Sequence, residues 1–492
     1  MTYLKTTIYC FLISAVWCQE HREFPPGFLF GAATSSYQIE GAWNASDKGE
    51  NIWDRYVHTN PSAIKNQDTG DIAADSYHKW ERDINMTSEL GLHFYRFSLS
   101  WARLLPTGYT NQISEDGKNY YNNLINGLLA RGVQPVVTLY HWDLPQPIQD
   151  IGGWTNPLIV DIFAEYAAYA FSIFGDRVKT WITINEAIVI CDLGYNTGMM
   201  APGILEPMFA PYLCNKYILL AHAKAYRIYD KYFRSEQHGK VSLANNLLWI
   251  EPLTPDDEEL AELGRQHYSG RYSHPIYSKE GGWPPSIEKL MAEYSRQQGF
   301  SRSRLPAFTE EEIKLMKGSF DFHAFNHYTT NLIRPAKLGE DPGVWFLNGS
   351  RELNAVLEVN SSWPQGASQL MRVYPEGIRR LMSWLKEQYG DVELLITENG
   401  YSNTGHLLND ENRIQFIRDY LEQVLLSIWE DDVKVIGYTY WSLMDNFEWI
   451  DGYGVKFGLY EVDFDDHERT RTPRASAQYY SNIIRTNTLD LD

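Results

Sequence analysis

Positive charge is scarce in this sequence, and so is cysteine. Lys and Arg number 43 against 63 Asp and Glu, a formal net charge of −20. That balance excludes nucleic acid and anionic membranes as partners, because both are recognised through a basic face. The 13 histidines are scattered without ligand spacing, so neither a metal site nor a metal cofactor is expected. Repeats and low-complexity tracts are absent, and 44% of residues are hydrophobic, as in a folded globular protein. No apolar run is long enough to span a bilayer. The run Ile8 to Val16 follows Lys5 and leads to Val16 and Cys18, the pattern of a secretory signal over residues 1–18, cut ahead of Gln19. Residues 19–492 are then the mature, exported chain, and its Thr-Leu-Asp-Leu-Asp tail carries no retention signal. Of four cysteines, Cys10 and Cys18 would leave with the signal. Cys191 and Cys214 remain; an even pair in an exported chain predicts one disulfide, with two buried free thiols as the alternative. Sequons at Asn44, Asn85, Asn348 and Asn360 predict partial glycosylation in a eukaryotic secretory route.

Aromatics, by contrast, are plentiful: 16 Trp and 33 Tyr. Most must fill the core, but such a surplus also suits sugars, whose C–H faces stack on aromatic rings. Short β-rich runs recur along the chain at Phe28–Ala33, Phe94–Ser98, Gln134–Tyr140, Thr180–Asn185, Val241–Asn246, Asp321–Asn326, Leu394–Thr397 and Val435–Trp441. Amphipathic helical stretches alternate with them, among them Tyr120–Arg131, Ile159–Phe174, Tyr217–Tyr232, Pro375–Tyr389 and Glu411–Trp429. Eight strands alternating with helices, without a Pro/Gly linker, predict a single (β/α)₈ TIM barrel of the α/β class. The long stretches 34–93 and 247–320 are expected to be inserted loops.

Barrel enzymes keep their chemistry at the C-terminal ends of the strands. Here those ends carry His141, Asn185, Glu186, Asn326, Tyr328, Glu398 and Trp441. Glu186 closes Thr180-Trp181-Ile182-Thr183-Ile184-Asn185, and Glu398 closes Leu394-Leu395-Ile396-Thr397. Singly, each would be an ordinary strand-end glutamate in a salt bridge. Two at one barrel mouth suit a reaction needing one protonated and one ionised carboxyl group, of which glycoside hydrolysis is the commonest.

With these stretches in view, the chain resembles the glycoside hydrolase family 1 β-glucosidases from Phe24 to about Ile484, and among them the secreted insect members. The resemblance rests on Phe28-Leu29-Phe30-Gly31-Ala32-Ala33-Thr34-Ser35-Ser36-Tyr37-Gln38-Ile39-Glu40-Gly41, Tyr95-Arg96-Phe97-Ser98 and Tyr140-His141-Trp142-Asp143-Leu144-Pro145-Gln146. It continues through Thr183-Ile184-Asn185-Glu186, Asn326-His327-Tyr328-Thr329, Ile396-Thr397-Glu398-Asn399-Gly400 and Trp441-Ser442-Leu443-Met444-Asp445-Asn446-Phe447-Glu448-Trp449. It implies a retaining double displacement on a small-molecule β-glucoside, with β-galactosides and β-fucosides as further candidate substrates, and with no cofactor. Glu398 matches the nucleophile, Glu186 the acid/base, Arg96 the compensating charge and Tyr328 a hydrogen bond to the nucleophile. Gln38, His141, Asn185, Glu448 and Trp449 match residues that bind the sugar hydroxyls, and Trp441 the platform under the ring. A carboxylate at Glu448 would also repel a 6-phosphate, so 6-phosphoglycosides are not expected substrates.

Three places depart from the family pattern. Ala187 stands where a proline usually follows the acid/base, Leu370 where a tryptophan usually walls the leaving-group site, and Gly452–Gly458 lacks the usual Glu-Arg before Phe457. All leave the hydrolytic residues intact and bear on the leaving group. Two alternatives follow from the resemblance: a thioglucosidase acting on glucosinolates, of the insect type because Glu186 is retained, or a sugar-binding relative that has lost catalysis.

Overall fold

A computed structural model of the chain describes residues 22–345, 347–369 and 371–489. The expected signal segment and Leu370 lie outside the described residues. Eight parallel strands close a barrel: β1 (Leu29–Ala33), β2 (Phe94–Ser98), β3 (Gln134–Tyr140), β4 (Thr180–Asn185), β5 (Lys240–Asn246), β6 (His323–Asn326), β7 (Leu394–Asn399) and β8 (Val435–Trp441). Each pairs with its neighbours in chain order, and β1 pairs with both β2 and β8 to close the ring. Runs of β-branched and aromatic residues make these strands because helices on the outside and side chains on the inside bury both faces. Phe94, Val136, Ile182, Ala324 and Leu395, from five different strands, meet in one buried cluster. They fill the barrel interior, as in other barrels of this size.

Register decides what meets above that layer. Ala33 of β1 lies beside Trp441 of β8 and Arg96 of β2. Asn246 of β5 lies beside Asn326 of β6, and Asn326 beside Glu398 of β7. Polar residues distant in sequence thus share one level of the barrel. The register slips beside both glutamates, between Ile182 and Asn185 on β4 and between Ile396 and Glu398 on β7. Such irregularities re-aim the side chains next to them.

The outer helices match the expected ones closely. Ile159–Phe174 and Glu411–Trp429 have the predicted bounds, while the helix expected from Tyr120 begins at Glu115, where the Ser114 hydroxyl accepts from the Gly117 amide. The helix expected from Tyr217 starts earlier, at Ala210. The inserted stretches are more ordered than loops. Residues 34–93 contain the helices Ile52–Thr59 and Ser76–Leu90. Residues 247–320 contain four α-helices and the strand Trp249–Pro252, which joins a small sheet with Thr330–Pro335, Ala355–Glu358 and Gly349–Ser350. Their signals were broken by turn residues and short lengths, which hides periodicity. Cys191 and Cys214 form a disulfide with Cα atoms 5.5 Å apart, tying the turn Ile190–Asn196 to the helix Ala210–Tyr232. No helix among the described residues is long and apolar enough to cross a membrane.

Candidate active site

Glu186 follows directly on β4, and its backbone is left-handed, with φ 50° and ψ 60°. Trp142 (φ 76°) and Trp449 (φ 52°), which line the same cavity, share that region. For non-glycine residues this conformation is costly and persists where surrounding structure imposes it, commonly at functional sites. Ala187 opens the short helix after Glu186 and is fully buried. Its position is the first of a helix, where a proline would fit equally, so the departure leaves the turn intact. Glu398 sits within β7, which runs two residues beyond its expected end at Thr397. Gly400 follows because β7 and β8 approach closely there: a Cβ would come within 1.9 Å of the Trp441 carbonyl oxygen.

The two carboxyl groups are held by different chemistry. Arg96 Nη1 donates to Glu398 Oε1 at 2.6 Å, and the Tyr328 hydroxyl donates to Oε2 at 2.7 Å. Glu186 receives only neutral donors: the amides of Asn326 (2.8 Å) and Asn246 (3.0 Å), both on Oε1. A proton on this group therefore belongs on Oε2, away from the amides. Burial and the nearby Glu398 charge push the Glu186 carboxyl up to about 8. Burial raises Glu398 as well, but the Arg96 guanidinium and the Tyr328 hydroxyl oppose it. One proton shared by this pair thus resides on Glu186, leaving Glu398 ionised.

A chain of amides joins the two. Asn185 Oδ1 accepts from Arg96 Nη2 (2.7 Å) and Asn326 Nδ2 (3.0 Å), and Asn326 Oδ1 accepts from the Thr397 hydroxyl (2.6 Å). With its oxygen so engaged, the Asn185 NH₂ must donate to His141 Nε2, at 3.1 Å. Burial and the Arg96 charge hold His141 well below the usual histidine range, so the ring is neutral with its proton on Nδ1. That nitrogen has no protein partner. The His141 ring lies nearly parallel to those of Trp441 (5.8 Å) and Trp449 (6.1 Å). Glu448 completes this end of the cavity. Burial first, then the Asp451 charge, lifts its carboxyl well above the usual value. Gln38 is fully buried behind it, its amide donating to Asn446 Oδ1 (2.9 Å), the Phe447 carbonyl (3.0 Å) and, at 3.4 Å, Glu448.

The structure therefore brings the sequence-predicted catalytic and sugar-binding residues to one barrel mouth, with Gln38 buried beside Glu448. Its geometry is a carboxylate kept charged and a carboxylic acid kept protonated, flanked by stacked aromatics and a spare imidazole donor. The sequence profile of glycosyl hydrolase family 1 matches residues 20–489. The chain belongs to that family. It is 46% identical to Myrosinase 1 of Brevicoryne brassicae, over 94% of this chain and 99% of that one. The solved structure of an aphid myrosinase superposes with a TM-score of 0.90 at 46% identity, covering 95% of this chain and all of the other. A rice β-glucosidase mutant solved in a covalent complex with Glc gives 0.86 at 36% identity, covering 93% and 98%. As a family 1 enzyme, the protein is a retaining β-glycosidase.

Sequence reasoning missed two parts of this family 1 site. Asn246 and Asn326 were visible as polar strand ends, yet their grip on Glu186 follows only from the β5–β6 register. The residues that line the open half of the cavity were not singled out. That half is walled by Val189, Leu193, Met200, Met371, Ile450 and Asp451, on connections between strands where no periodicity marks them.

Proposed function

We propose that the protein is an exported β-glucosidase that hydrolyses uncharged β-O-glucosides by double displacement. Glu398 would attack the anomeric carbon to form a glycosyl ester while Glu186 protonates the departing oxygen. Once the ester forms, the Glu398 charge that helps raise Glu186 is gone, so Glu186 becomes acidic enough to act as base toward water. This requires the carboxyl groups to work about 5 Å apart. Arg96 and Tyr328 would keep Glu398 ionised and aimed. His141 Nδ1, Asn185, Gln38, Glu448 and Trp449 would bind the sugar hydroxyls, with Trp441 beneath the ring. A substrate lacking one of those hydroxyls would leave a buried group unpaired, which is a strong penalty.

The observation that carries this reading is the unequal holding of the two glutamates, a guanidinium on one and two amides on the other. Its test is turnover of an aryl β-glucoside by purified enzyme, with trapping of a glucosyl ester on Glu398. Absence of both would refute it. A second reading, a thioglucosidase acting on glucosinolates, draws support from the likeness to myrosinases. Weighing against it, no Lys or Arg lines the cavity among the described residues, whereas a glucosinolate carries a sulfate on its leaving group. Turnover of a glucosinolate but not of the aryl glucoside would favour this second reading. Export through residues 1–18 and glycosylation complete the proposal. Asn44 and Asn348 are exposed and Asn85 and Asn360 partly so, which makes the first two the expected glycan sites. Mass spectrometry of the secreted protein would check both points.

A further inference from the structure

The open half of the cavity is largely apolar and carries one carboxylate. Leu193, Met200, Met371 and Ile450 face it with hydrocarbon and thioether, and Asp451 interrupts them. Asp451 ends the turn Trp449–Asp451, anchored through its backbone amide to the Glu448 carbonyl (3.0 Å). Its side chain is partly exposed, which places it toward the mouth, beyond the buried His141, Asn185 and Glu398. Among the described residues no salt bridge holds it. The cation acting on it is Lys65, an exposed residue whose ammonium lies near Gly454.

The other cavity carboxyls are differently placed. Glu398 faces Arg96, Glu186 carries a proton, and Glu448 accepts from the Gln38 amide. Among the described residues, no Lys or Arg on the cavity wall pairs with Asp451, which is set beside apolar side chains where its field is poorly screened. A leaving group bearing sulfate or carboxylate would have to approach it without a cation to pair with. A neutral or ammonium-bearing apolar group would not meet this repulsion.

We propose that Asp451 is a specificity-determining residue that filters aglycones by charge, admitting neutral and cationic apolar groups and rejecting anionic ones. This rests on the reading of the cavity as a β-glucoside site, and it names the class of leaving group that site takes. The test separates the two. Turnover of phenyl β-glucoside examines the parent reading alone. The filter is examined by calorimetric binding of three aryl β-C-glucosides, which have no bond to cleave, carrying a para hydroxymethyl, aminomethyl or carboxylate group. At low ionic strength the carboxylate should bind about tenfold more weakly than the hydroxymethyl compound, with the aminomethyl compound at least as tight as the neutral one. Asp451→Asn should bring the neutral and anionic compounds within about twofold of each other, and Asp451→Glu should keep them apart. Equal affinities in the unaltered enzyme, or a ratio that survives Asp451→Asn, would overturn the filter while leaving glucoside turnover untouched.

Discussion

At its closed end the cavity gives its polar groups fixed partners, whereas at its open end it offers apolar surface around a lone carboxylate. Glu398, Glu186 and Asn185 each accept two hydrogen bonds from residues on or just beyond other barrel strands. Leu193, Met200 and Met371 come from connections between strands and offer the cavity only hydrocarbon and thioether side chains. The closed end rests on rigid barrel strands, so it can hold reacting atoms in one geometry. The open end rests on segments that vary without disturbing the barrel. Chemistry and leaving-group choice are therefore separable in this molecule, and substitutions at the two ends should have different kinetic signatures.

The largest effect belongs to the closed end. Glu398→Gln should lower kcat on every glucoside by at least about 10⁴-fold, whatever the leaving group. In the same variant Glu186 should lose the neighbouring charge and titrate below its value of about 8, as followed by NMR of a labelled carboxyl. Glu186→Gln should cost about 10³-fold in kcat/KM on substrates with poor leaving groups but far less on dinitrophenyl glucoside, whose departing oxygen needs no proton. In the unaltered enzyme, Glu186 must be protonated for the first step. Activity should then fall as pH rises through about 8, and fall again at low pH as Glu398 takes up a proton.

Between the two ends lies the disulfide, which anchors the turn bearing Leu193. Replacing Cys191 and Cys214 by Ser should cost about 3 kcal/mol in denaturant unfolding, and should raise KM more than it lowers kcat. The smallest effect belongs to the open end. Met200→Ser should raise KM for aryl glucosides about fourfold, the loss of roughly one buried methylene contact, with a much smaller change for methyl glucoside. A uniform change in kcat from Met200→Ser would break the proposed separation of the two ends.

Much of this was legible before any coordinates. Alternating strand and helix patterns located all eight barrel strands to within two residues at each end, because each strand is a β-branched or aromatic run bounded by turn residues. Their C-terminal ends then pointed to Glu186, Glu398, His141 and Asn185. Less was legible where function depends on pairing across strands. Nothing local to Asn246 marks it as a partner of Glu186, and nothing local to Thr397 shows the slip beside Glu398. Asp451 stands just before the departing stretch Gly452–Gly458, and nothing local shows that no Lys or Arg among the described residues shares the cavity wall with it.

The amino-acid sequence by itself determined the barrel, the identity of the two glutamates and the disulfide pair, since each follows from local pattern, spacing or family motif. Tertiary structure alone decided which glutamate keeps the proton, which imidazole nitrogen is free, and that the leaving-group end is largely apolar around one carboxylate. The reason is that burial and hydrogen bonding set a carboxyl's proton affinity, and those neighbours come from strands hundreds of residues apart: Arg96 lies 302 positions from Glu398, and Asn326 lies 140 from Glu186.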